Sequence, residues 1–101
     1  MIENLSDSNI ENIIRNNAFV LVDCYTEWCG PCKAFAPVLE SFASQNRIIK
    51  VIKIDVERNP IFAKKYNIRS VPTLLFFERG QLRDTKIGMS DLNTLNRLYK
   101  R

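Results

Sequence analysis

Three nearly continuous apolar runs punctuate the chain, and each alternates with a segment of helical spacing. Ala18-Phe19-Val20-Leu21-Val22-Asp23-Cys24 is rich in β-formers and broken by a single charge. It predicts a central strand buried on both faces. Residues 47–56 form a second buried strand, and Val71-Pro72-Thr73-Leu74-Leu75-Phe76-Phe77 a third, with proline near the start, where a strand tolerates it. Glu78-Arg79-Gly80-Gln81 makes a turn, from which residues 82–88 return as a hairpin partner. Ile2–Leu5 reads as an edge strand.

Helical periodicity fills the intervals. Ser8 followed by Glu11 is a capping-box pattern, and Ile10, Ile13 and Ile14 give one stripe, which predicts a helix over 8–16. Phe35, Val38, Leu39 and Phe42 recur at i, i+3, i+4, i+7 and mark a helix over 30–45, with Pro37 expected to kink it. Asn59-Pro60 caps a third helix with Phe62, Ala63 and Tyr66 inside and Asn67 at its end. Ser90 is expected to cap a fourth, whose Leu92, Leu95, Leu98 and Tyr99 face inward. The order (β)αβαβαββα predicts an α/β fold: a central mixed sheet with helices on both faces, in a three-layer sandwich. The buried strands joined by a helix should be parallel and the last two antiparallel.

Length and composition narrow the chemistry. The 101 residues fit one domain, 1–101, and a 46% apolar share can build a core without disulfide staples. The chain has no histidine, which removes Ser-His and Cys-His catalysis and two-His zinc sites. Residues 1–30 carry one base and five acids, whereas residues 31–101 carry 14 bases and six acids. Those bases are scattered or in pairs such as Lys64-Lys65 and Lys100-Arg101, so the pattern reads as a solvated basic face with no nucleic-acid role. No segment approaches the ~20 apolar residues of a membrane span. The start, Met1-Ile2-Glu3-Asn4-Leu5, lacks the zones of a signal peptide, and the chain is expected in the cytoplasm, where thiols stay reduced.

Cys29-Gly30-Pro31-Cys32 follows a predicted strand and opens a predicted helix. The helix N-terminus favours a thiolate at the first cysteine. The second lies nearly one turn on, more buried, placed to resolve a mixed disulfide. A zinc site would need two further ligands, and only Cys24 remains. Cys24, Cys29 and Cys32 do match the C-x4-C-x2-C spacing of iron–sulfur ligands, but no fourth cysteine follows.

Val20-Leu21-Val22-Asp23, Glu27-Trp28-Cys29-Gly30-Pro31-Cys32-Lys33, Pro37 and Lys53-Ile54-Asp55 resemble the thioredoxin family. Asn59-Pro60, Tyr66, Ile68-Arg69-Ser70-Val71-Pro72-Thr73, Gly80 and Gly88 extend the resemblance over nearly the whole chain. It implies the thioredoxin fold and a protein-disulfide reductase that serves cell redox homeostasis and donates electrons to target enzymes. Cys29 would be the exposed nucleophile, Cys32 the resolving thiol, Asp23 the buried proton acceptor, and Lys53 the group that tunes Asp23. Without the resemblance, Asp23 equally reads as a cap or turn former, and Lys53 as a snorkelling strand-edge lysine. Pro72 would be a cis proline, and Trp28, Gly30, Pro31, Val71, Pro72 and Gly88 an apolar docking surface. Cys24 stands where the family usually has phenylalanine and is expected to be an inert buried hydrophobe. Tyr25 and Thr26, at positions that vary in the family, would adjust substrate preference. The resemblance implies no cofactor beyond the Cys29–Cys32 disulfide, disulfide-containing protein substrates, a flavin-dependent thioredoxin reductase as electron donor, and a monomer. A redox-independent binding module using the same apolar surface is the competing reading.

Overall fold

The computed structural model describes residues 2–100; Met1, at the proposed acidic start, and Arg101, of the C-terminal basic pair, lie outside them. The elements run β1 (Glu3–Leu5), α1 (Ile10–Asn16), β2 (Phe19–Tyr25), α2 (Gly30–Gln45), β3 (Lys50–Asp55), α3 (Pro60–Lys65), β4 (Thr73–Glu78), β5 (Gln81–Ile87) and α4 (Leu92–Tyr99). They build one five-stranded sheet in the order β1-β3-β2-β4-β5. β3 runs parallel to both β1 and β2, while β4 is antiparallel to β2 and β5. The mixed sheet expected from the strand and helix order is therefore present.

Continuous apolar runs are needed because β2 and β4 are covered on both sides. Val20, Val22, Cys24, Leu75 and Phe77 pack with Ile10 and Ile14 of α1 and Phe62 of α3. Leu21, Leu74 and Phe76 turn the other way, onto Phe35, Leu39 and Phe42 of α2 and Leu95 and Tyr99 of α4. The β4–β5 turn places Arg79 and Gly80 at φ 51° and 82°, the pair of positive values that a tight two-residue hairpin demands.

Several boundaries and caps differ from the sequence expectation. Residues 47–49 stay outside β3 because Ile49 N–H donates back to the Asn46 carbonyl in a turn (3.0 Å). β4 starts at Thr73, after Pro72, which has no N–H for the ladder. Ser8 does not cap α1; the N-cap is Asn9, and Glu11 instead accepts from the Tyr66 hydroxyl and pairs with Lys65. Asp91, not Ser90, caps α4, accepting from Thr94 N–H at 2.7 Å. Leu98 is 45% exposed, because the inward stripe at i, i+3, i+7 takes Leu92, Leu95 and Tyr99 and leaves it to one side. α2 does span Gly30–Gln45 with Pro37 inside it, as the spacing predicts.

The cap of α3 is supplied from far away. Asn59 occupies the N-cap position without bonding the helix through its side chain. Its amide donates to the Asp55 carbonyl and its oxygen accepts from Asp7 N–H. Asp7 in turn accepts from Phe62 N–H at 2.8 Å and Ile61 N–H at 3.2 Å. Removing that carboxylate leaves two amides without their acceptor, so Asp7→Ala is expected to cost about 1–2 kcal/mol in urea unfolding. An unchanged midpoint would show that Asn59 takes over the cap.

Candidate active site

β2 ends at Tyr25, and a short loop carries the chain to Cys29, the N-cap of α2. Cys29 N–H donates to the Thr26 carbonyl at 3.3 Å, which fixes the loop. A disulfide joins Cys29 and Cys32 across one helical turn, with Cα atoms 5.2 Å apart. Cys29 Sγ also accepts from the Cys32 backbone N–H at 3.0 Å. Here the cap of a helix is itself a sulfur, bonded by one of the amides a helix start leaves free. In this oxidised form Cys29 is 9% and Cys32 6% exposed, so the first cysteine is less open than the sequence reading expects, though still the more open of the two. Trp28 beside them is 83% exposed and Gly30 and Pro31 are exposed, which leaves an uncovered surface around the pair.

Behind the disulfide lies a cleft of about 510 Å³ lined by Asp23, Tyr25, Thr26, Glu27, Trp28, Cys32, Lys33, Ala36 and Lys53. Asp23 is buried, and its Oδ1 has no hydrogen-bond partner. Burial raises its carboxyl to about 7, against a smaller opposing pull from Lys53. Asp23 and Lys53 are register partners on β2 and β3. Among the described residues no ion pair within 4 Å joins them; the Lys53 ammonium instead sits over the Tyr25 ring.

The second half of the surface comes from the segment before β4. Val71–Pro72 is a cis peptide bond, Pro72 is buried and Val71 half-buried. Cys24 pairs with Thr73 across β2 and β4, which brings this segment alongside the loop that carries Thr26. Thr26 and Val71 accordingly line one groove. Gly88, at φ 91°, donates its N–H to the Pro72 carbonyl at 2.8 Å, a backbone setting that favours glycine.

Cys24 belongs to neither half. It is fully buried in the apolar layer under α1 and α3, and burial, reinforced by the neighbouring Asp23 charge, pushes its thiol well above the usual range. It lies on the sheet face opposite to Asp23, so the three cysteines do not converge, and among the described residues no group of three acidic, cysteine or histidine side chains could hold a metal. Sequence reasoning missed Asn4, whose amide donates to the Tyr25 hydroxyl at 2.6 Å. The one signal was a polar residue inside an otherwise marginal edge strand.

The Thioredoxin family model matches residues 1–101. The thioredoxin of Rickettsia prowazekii is 37% identical over 97 residues, covering 94% of this chain and 92% of the relative. That of Pyropia yezoensis is 44% identical over 86 residues, or 84% and 80% of the two chains. The solution structure of the oxidised thioredoxin from Plasmodium falciparum superposes with a TM-score of 0.91 at 34% identity over 100% of both chains.

Proposed function

The chain belongs to the thioredoxin family and is a protein-disulfide oxidoreductase, and from that premise we propose how its residues divide the work. Its substrates are disulfides, its partners include a reductase, and the Cys29–Cys32 disulfide serves in place of a cofactor. In the reduced enzyme Cys29 Sγ, held at the start of α2, attacks one sulfur of a target disulfide. The target S–S bond breaks, one target thiolate leaves, and a mixed disulfide forms on Cys29. Cys32 then loses its proton to Asp23 and attacks Cys29 Sγ. The Cys29–Cys32 bond forms, the second target thiolate departs, and two electrons have passed from the dithiol to the target.

The observation that carries this reading is the unpartnered, buried Asp23 carboxylate lining the same cleft as Cys32. A carboxyl raised to about 7 is matched to proton transfer near neutrality. Lys53 tunes it by charge. Trp28, Gly30, Pro31, Val71, Pro72 and Gly88 form the docking surface; the exposed Trp28 and the groove beside Val71 support that assignment. Electron transport through a flavin-dependent thioredoxin reductase and a cytoplasmic location fit a chain that must regenerate a free dithiol beside a third reduced cysteine. A monomer is favoured because the exposed edge strand β5 carries Arg83, Asp84 and Lys86, charges that discourage edge pairing.

Cys32→Ser removes the resolving thiol and leaves the attack intact. Incubated with a disulfide-bonded protein such as insulin, it is expected to accumulate a mixed disulfide that mass spectrometry maps to Cys29. An adduct on Cys24, or none, would contradict the division of roles.

A further inference from the structure

Asn4, Lys53 and Asp23 are register partners across β1, β3 and β2, so they form one row on one face of the sheet. Tyr25 lies two residues beyond Asp23 on that same face. Its ring is 5.2 Å from the Lys53 Nζ, within the range of a cation–π contact. Its hydroxyl accepts from Asn4 Nδ2 at 2.6 Å, which fixes the ring from the sheet edge. The ammonium thus has an aromatic partner, while Asp23 Oδ1 has no hydrogen-bond partner. Two opposite charges side by side on adjacent strands are held out of direct contact, although an unopposed lysine would swing toward the bare carboxylate.

We propose that Tyr25 is a positioning residue that holds the Lys53 ammonium on its ring and away from Asp23, keeping that carboxylate free to exchange a proton with Cys32. This rests on the reading of Asp23 as proton acceptor. The other groups facing this cluster do not replace the aromatic contact. Asp55, opposite Tyr25 on β3, accepts from Glu57 and Arg58 N–H. Glu27 pairs with Arg58 at 3.5 Å. Lys33 and Cys32 line the cleft from α2, and Glu40 lines a small cavity of about 100 Å³ that Asp23 and Lys53 also line. None of these acids lies within 4 Å of the Lys53 ammonium.

Removing the ring releases Lys53 toward Asp23, which favours the carboxylate and lowers its titration midpoint. The test is carboxyl-carbon NMR titration of Asp23 in the oxidised full chain, where neither active-site cysteine titrates. Tyr25→Leu is expected to lower the midpoint by about half a pH unit. Tyr25→Phe, which keeps the ring, should stay close to wild type. Lys53→Met should raise the midpoint, and adding Tyr25→Leu to it should move it no further. An unchanged or raised midpoint in Tyr25→Leu, or a fall that persists without Lys53, overturns the proposal. Should Tyr25→Leu fail to fold, the wild-type spectrum decides: the Lys53 ε-methylene protons must lie upfield of the other lysines through the Tyr25 ring current, and ordinary shifts would refute the contact. The titration reads Asp23 without catalysis. An Asp23→Asn enzyme with unimpaired resolution would therefore sink the proton-acceptor reading while leaving this result standing.

Discussion

Cys29→Ser is expected to lower catalysed insulin reduction by more than about a hundredfold, to the background of dithiothreitol alone. Serine can accept the Cys32 N–H bond and keep the start of α2, so the fold should survive. It cannot form the mixed disulfide, and no other thiol can stand in. Cys32 lies inside the first helical turn, and Cys24 is fully buried on the far side of the sheet with its thiol pushed up by burial. Retained activity in a Cys29→Ser, Cys24→Ser double variant would refute the nucleophile assignment. Loss of binding to the same targets would count against a redox-independent docking role, which predicts that both variants still bind.

The second large effect concerns stability. Asp23 has its folded-state carboxyl raised from 3.8 to about 7, chiefly by burial. Below pH 3.8 both folded and unfolded chains keep this proton, and the group is neutral to stability. Between that point and about 7 the unfolded chain releases it while the folded chain holds it, so stability falls as pH rises. Above 7 both are ionised and the loss is complete, at about 4 kcal/mol. Glu3 and Asp91 are shifted in the opposite direction, by Lys50 and by the Thr94 amide, so the wild-type curve mixes the signs. The difference between wild type and Asp23→Asn isolates Asp23. In urea unfolding, the variant is expected to gain relative to wild type from pH 4 to pH 7 and to hold that gain at pH 8. A constant difference across the range would mean that Asp23 titrates normally.

Local signals carried the fold far. The runs around Val20, Ile52 and Leu75 marked buried strands because each is covered on both faces, and Cys29-x-x-Cys32 marked the site because its chemistry depends on a three-residue spacing. Asn67 was legible as a helix end, and it takes φ 55° just after α3. What escaped depended on contacts far apart in sequence. Asp7 bonds the first amides of α3 from more than fifty residues away, and Asn59 stands at the N-cap, as its place before Pro60 indicates, while its side chain braces the turn. Glu11 looked like half of a capping box but serves Tyr66 and Lys65. The pairing of Lys53 with Tyr25 was hidden for the same reason. Charge alone directs the lysine to Asp23, and only the strand register, with Asn4 anchoring the phenol from β1, shows the ring that intercepts it.

The Cys29–Cys32 pair works as a dithiol reductant of protein disulfides. Its reduction potential, measured by equilibrating the full chain with glutathione redox buffers and quantifying the free thiols, tests this most directly. The expected value lies at or below the cytosolic glutathione poise, roughly −220 mV or more negative. A value near −120 mV, the range of a strong disulfide donor, would contradict it.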